Sequence, residues 1–114
     1  MAKVRVMYWK EIPIQVKAED GNLESSSPLS PRFQQGLDAI SMFDGSFGSE
    51  DYLMAFEWGD IAEVDGAAEE TALAVARRYN ERFPKDFVSR IRALHETGGR
   101  DPRPGAVDWW LEHD

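Results

Sequence analysis

The 114-residue chain has no cysteine and only two histidines, His95 and His113. Without thiols there is no disulfide framework, no thiol nucleophile and no cysteine-based zinc site. Two histidines this far apart make neither an HExxH pair nor a Cys/His cage. A cysteine-free chain fits a reducing compartment, and a cytoplasmic address is expected. No apolar run approaches the roughly 20 residues needed to cross a bilayer. Met1-Ala2-Lys3-Val4-Arg5 alternates charge with apolar residues where a signal segment would be hydrophobic. Neither a membrane anchor nor an export signal is expected. Basic charge is also scarce: 13 Lys and Arg stand against 21 Asp and Glu, a formal net charge of −8. Such a surface repels phosphate backbones, so nucleic acid is not an expected partner. The phosphate cradles GxxxxGK[ST] and GxGxxG and the nucleophile elbow GxSxG are all missing.

The charge that is present is segregated. Residues 33–76 contain no Lys or Arg but ten acids, from Asp38 to Glu70. Residues 77–92 reverse the sign with Arg77, Arg78, Arg82, Lys85, Arg90 and Arg92 against Glu81 and Asp86. An acidic middle followed by a basic late helix implies a dipolar surface that either steers a charged partner or pairs internally.

Val4-Arg5-Val6-Met7-Tyr8-Trp9 alternates and is rich in β-branched and aromatic residues, which predicts a strand with Val4, Val6 and Tyr8 on one face. Apolar Met7 and Trp9 on the other face place that strand inside a sheet. Lys10-Glu11 forms a short turn into a second strand, Ile12 to Lys17, with Pro13 at its start. Residues 24–31 read as a loop whose end, Ser30-Pro31, signals a helix start. Phe33, Leu37, Ile40 and Phe43 mark that helix's buried stripe, and Gly45 stops it. Tyr52 to Trp58 reads as a strand with Tyr52, Met54, Phe56 and Trp58 on one face. A helix from about Ala67 follows, with Glu69 and Glu70 in its first turn and Ala72, Leu73, Ala76 and Tyr79 or Asn80 leading to Phe83. Pro84 breaks it. A last helix from about Pro84 to Glu96 turns Phe87, Ile91 and Leu94 inward and ends at Gly98-Gly99. The expected fold is a small single α+β domain: a three-stranded antiparallel or mixed sheet with helices packed on one face, in the order β-β-α-β-α-α. It spans residues 1–98, followed over 99–114 by a Pro/Gly connector and a tryptophan-containing tail.

Few residues read as chemical groups. Asp44, Ser46, Gly48, Glu50 and Asp51 are superficially similar to a calcium loop, but the fixed acidic positions do not line up. Asp60, Glu63 and Asp65 supply carboxylates without any sign of a cleft. His95, near a helix end, reads as a capping residue. The aromatics stand out more. Tyr8-Trp9 sits at a strand end beside a tight turn, and Trp109-Trp110 lies in the tail. The tail pair either folds back so that one ring plugs a groove of its own domain, or anchors a partner, as tryptophan does at interface hot spots.

Tyr8-Trp9-Lys10-Glu11-Ile12-Pro13-Ile14-Gln15-Val16 resembles the Tyr-Trp-basic-acidic-Ile-Pro-Ala-Gln-Val opening of the bacterial virulence factor domain family. Pro31-Arg32-Phe33 with Asp38 and Ala39 is similar to that family's helix, and Asp51-Tyr52-Leu53 before Trp58 to its Tyr-Leu…Trp strand. The resemblance covers roughly residues 3–95. Ile14 stands where the family has Ala, Pro28-Leu29-Ser30 is inserted before the helix, and the tail from Gly98 departs from the common pattern. The resemblance carries over no catalytic residue. It implies a small stand-alone accessory protein, in many bacteria associated with folate and corrinoid one-carbon enzymes.

The sequence therefore leads to the expectation of a non-catalytic accessory or interaction module, without a metal or cofactor of its own, docking on a larger bacterial protein. The candidate interaction residues are Tyr8, Trp9, Trp58, Trp109 and Trp110. The alternative is a folate- or corrinoid-binding protein that uses Tyr8, Trp9 and Trp58 as stacking surfaces. An exposed sheet edge leaves room for a homodimer.

Overall fold

The computed structural model describes residues 1–112; His113 lies outside the described residues. Strand β1 (Ala2–Trp9) turns at Lys10-Glu11 into the antiparallel β2 (Ile12–Asp20). Lys10 takes a positive φ of 52°, the left-handed geometry that tight hairpins use. Pro13 lies at the start of β2, where the register with β1 shifts.

The expected loop over 24–31 is for the most part a strand, β3 (Leu23–Pro28), paired antiparallel with β2 from Asp20↔Leu23 to Gln15↔Pro28. Its serine run has weak β propensity, and the pairing partner, not the local sequence, makes it a strand. Helix α1 (Pro31–Asp44) runs as expected, with Pro31 in its first turn, Ser30 extended before it and Gly45 ending it at φ 88°. The expected strand over Tyr52–Trp58 is corrected: helix α2 (Glu50–Met54) takes its first half, and only β4 (Phe56–Trp58) is strand. Ser49 in extended geometry, followed by two acids in the first turn, is a helix start that outweighs the β propensity of the residues after it.

Strand β5 (Ala62–Val64) completes a five-stranded sheet in which β1 pairs with β2 on one side and with both β4 and β5 on the other. Between β4 and β5, the Gly59 N–H donates to the Val6 carbonyl at 2.8 Å. The two short strands thus run end to end along β1, and the register slips by one residue at Gly59-Asp60-Ile61.

Helix α3 (Ala68–Arg82) ends where Phe83 turns extended before Pro84, and α4 (Phe87–Thr97) ends at Gly98 with φ 80°. A final 3-10 turn covers Asp108–Leu111. No helix among the described residues is long and apolar enough to cross a membrane.

The α+β class holds. Helices α1 and α3 pack on the sheet face formed by Val4, Val6, Val16 and Ala18, and α4 packs on α1. Phe33, Phe83 and Phe87 meet between the helices with ring centroids 5.4 to 5.6 Å apart. Leu73, expected on the inner stripe of α3, faces outward; Thr71, Ala72, Ala76 and Tyr79 are the buried residues there. Arg32 lies over the Phe33 ring and donates to the carbonyls of Asn80, Phe83 and Pro84, closing the open end of α3.

Candidate functional site

Four consecutive residues at the β1–β2 turn reach four different parts of the molecule. Tyr8 donates to Asp108 Oδ2 in the C-terminal turn at 2.5 Å and meets the Tyr79 hydroxyl of α3 at 3.1 Å. The Trp9 indole donates to the Tyr52 carbonyl in α2 at 2.9 Å. Lys10 pairs with Asp44 at the end of α1 at 2.6 Å. Glu11 receives Arg100 in a bidentate pair at 2.6 and 2.8 Å.

Arg100 also reaches Asp44 at 3.0 Å, so two cations and two carboxylates form one linked group. The side chains of Arg100, Asp44 and Glu11 retain only 7, 3 and 1% of their exposure. Burial would push the Asp44 carboxyl up. Hydrogen bonds from Lys10, from the Ser46 hydroxyl and amide, and from Arg100 outweigh it and hold the group at about 2.

A cleft of about 500 Å³ opens between β1, the β4–β5 edge, α3 and the segment leading into the final turn. Val4, Val6 and Val75 give it apolar walls, and Tyr8, Tyr79 and Asp108 form its polar end. Tyr79 donates to the same Asp108 oxygen that Tyr8 uses, at 2.6 Å. Asp108 Oδ1 is buried without a hydrogen-bond partner. Burial raises the Asp108 carboxyl, against the opposing hydrogen bonds from Tyr79 and Tyr8 and the nearby Arg78 charge. Burial, followed by the Asp108 charge, raises both phenols. Gly59 lets the Tyr8 ring approach the strand closely, since a Cβ there would lie 2.7 Å from Tyr8 Cε1.

The aromatic residues singled out in the sequence occupy separate places. Tyr8 and Trp9 are buried. Trp58 pairs with Met7 on the open face of the sheet, where Arg5 stacks on its ring at 4.5 Å and Lys17 lies 5.8 Å away. Tyr8 and Trp58 are therefore on opposite faces of the sheet, and the two rings cannot stack on one ligand. In the tail, Trp110 is 4% exposed against Phe83, whereas the adjacent Trp109 is 58% exposed. One ring is a plug and the other a surface residue, which divides the two readings of the pair between its members.

A second surface went unrecognised in the sequence because Tyr52–Trp58 read as a strand. Phe47, Tyr52 and Leu53 line an open groove of about 520 Å³ together with Gly48, Ser49 and Glu50. Phe47 is 58% and Leu53 70% exposed, and Met54 beside them is more exposed still. His95 lies in the last turn of α4 with its ring 5.5 Å from Phe43. Asp60, Glu63 and Asp65 are exposed, and Asp44 points inward to Lys10 and Arg100. Among the described residues no group of three or more His, Cys, Asp or Glu side chains could hold a metal ion. Arg100 and Asp108 carried no sequence signal of their own, and Tyr79 read only as a position on the inner stripe of its helix, because each acquires its polar partner only through tertiary packing.

The family model described as Virulence factor matches residues 7–91. No curated protein and no solved structure matches the chain.

Proposed function

The chain belongs to the virulence factor family, and from that premise we propose that it is a docking module whose Phe47–Tyr52–Leu53 groove receives a basic amphipathic helix of a larger protein. The coincidence of exposed apolar side chains with charge of one sign carries this reading. Leu53 and Phe47 offer apolar surface whose burial is worth about 1.5–3 kcal/mol per side chain. Glu50 lines the groove and Asp51 is exposed next to it, within a stretch of sequence that has no Lys or Arg. Asp44 adds nothing to the attraction, since Lys10 and Arg100 already neutralise it. A helix with apolar anchors and flanking Lys or Arg complements such a surface, and its binding weakens as salt rises.

A photo-crosslinking side chain placed at Leu53 in the native host, with a second placed at the exposed Leu73 of α3 as control, tests the proposal. The expected result is a discrete adduct at Leu53 only, mapped to a basic amphipathic segment and diminished by Glu50→Lys with Asp51→Lys. Equal adducts at both positions, none at Leu53, or an adduct indifferent to the charge reversal would overturn it.

A further inference from the structure

We propose that the cleft ending at Tyr8, Tyr79 and Asp108 binds a small organic cation with N–H donors and an apolar body, such as a protonated amine or an amidinium. The hydrogen-bond inventory argues for the class. A phenol has one proton, and both Tyr8 and Tyr79 direct theirs at Asp108 Oδ2. What remains unsatisfied at that end of the cleft is lone pairs: those of the two phenol oxygens and, closed off from solvent, that of the unpartnered Oδ1. A ligand that supplied only acceptors would add to the surplus, whereas N–H donors would relieve it.

The charge balance points the same way. Among the described residues no cation pairs with Asp108. Two arginines border the cleft: Arg78 is paired with Glu112 at 2.5 Å and reaches Asp108 only as a through-space charge, and Arg5 stacks on Trp58 on the other side of the sheet and reaches Glu19. Asp60, also in the lining, is a second carboxylate without an ion pair among the described residues. The free charge facing the cavity is therefore negative, while Val4, Val6 and Val75 ask for an apolar body. Two glycines flank the Tyr8 side chain: a Cβ at Gly59 would collide with its ring, and one at Gly105 would stand 3.7 Å from its hydroxyl.

Benzylamine and benzamidine serve as the cationic probes, with benzyl alcohol and benzoate as neutral and anionic controls of the same size. Binding is followed on the full chain by amide chemical shifts and by calorimetry. The expected result is saturable binding of the two cations at millimolar concentration, shifting the amides of Gly59, Tyr79 and Asp108, with neither control doing so. Asp108→Asn is expected to weaken the cations about tenfold or more, as loss of a charge-assisted hydrogen bond does. Val75→Phe narrows the cleft without touching the polar cluster and is expected to weaken the cations too, which keeps the test decisive if Asp108→Asn does not fold. The proposal is overturned if the cations leave those amides unmoved, if benzyl alcohol or benzoate binds as well, or if a folded variant of either kind binds the cations undiminished.

Discussion

Arg100 is the side chain on which the buried polar interior turns. It lies between Glu11 and Asp44 and supplies three of the charge-assisted hydrogen bonds that satisfy them. A buried pair of this kind adds little net stability over an apolar replacement of all its members, but removing one member leaves the others uncompensated. Arg100→Met is therefore expected to cost about 3–5 kcal/mol in urea unfolding at neutral pH. Replacing all three with apolar residues of similar volume is expected to cost much less than the single change. Asp44 adds a pH dependence whose sign is fixed by its depressed folded-state value. Stability from this group is fully present above the unfolded carboxyl range near 4 and is lost as pH falls toward the folded value of about 2. At about 1.4 kcal/mol per unit, the fall from 3.8 to about 2 amounts to about 2.5 kcal/mol. Urea midpoints taken from pH 5 down to pH 2 should fall less steeply for Asp44→Asn than for the unmodified chain. Parallel curves would show that Asp44 is not held in its charged form.

Contact between helices depends on one glycine. Gly36, in the middle of α1, faces the Phe87 ring of α4, and a Cβ there would lie 2.2 Å from Phe87 Cζ. On propensity alone, Gly36→Ala should stabilise α1 by about 1 kcal/mol. The ring cannot retreat, because Phe33 stacks on it and Phe83 meets its edge. Overpacking of about 1–3 kcal/mol should win, so the variant is expected to melt at a lower temperature than the unmodified chain. A higher melting temperature would mean that α1 and α4 separate without penalty. Elements with their own periodicity and end signals, such as α1 between Pro31 and Gly45 or the break at Phe83-Pro84, were legible in the sequence. Those made by a neighbour were not: β3 is a serine run turned into a strand by β2, and β4 and β5 are three-residue pieces held by β1. The same holds for the polar clusters. The Tyr8–Glu11 motif was visible as a motif, but its meaning as the hub joining α1, α2, α3 and the C-terminal segment required Asp44, Tyr79, Arg100 and Asp108 to be brought to it.

At the scale of the whole molecule, part of the late basic charge is used internally, between α3, α4 and the residues after Gly99. Arg78 pairs with Glu112, Arg82 donates to the Leu111 carbonyl at 2.6 Å, and Arg90 lies over the Trp110 ring at 5.2 Å. The basic late helices thus hold the C-terminal segment, while Val107, Trp110 and Leu111 enter the hydrophobic core. Two consequences separate a structural tail from a detachable one. Trp110→Ala is expected to cost about 3–5 kcal/mol, as deletion of a buried aromatic does, whereas Trp109→Ala, at an exposed position, should cost about 1 kcal/mol or less. A chain ending at Gly99 should lose its cooperative thermal transition, because it uncovers the Phe83 side of the core and strands Glu11 and Asp44 without Arg100. If that truncated chain melted within about 5 °C of the full one, roughly the effect of 1 kcal/mol in a domain of this size, the last residues would be an appendage. Melting the truncated chain together with Trp109→Ala and Trp110→Ala separates these outcomes. A loss shared by the truncation and Trp110→Ala but absent from Trp109→Ala identifies the segment as the closing piece of the core and leaves Trp109 as its one outward aromatic ring.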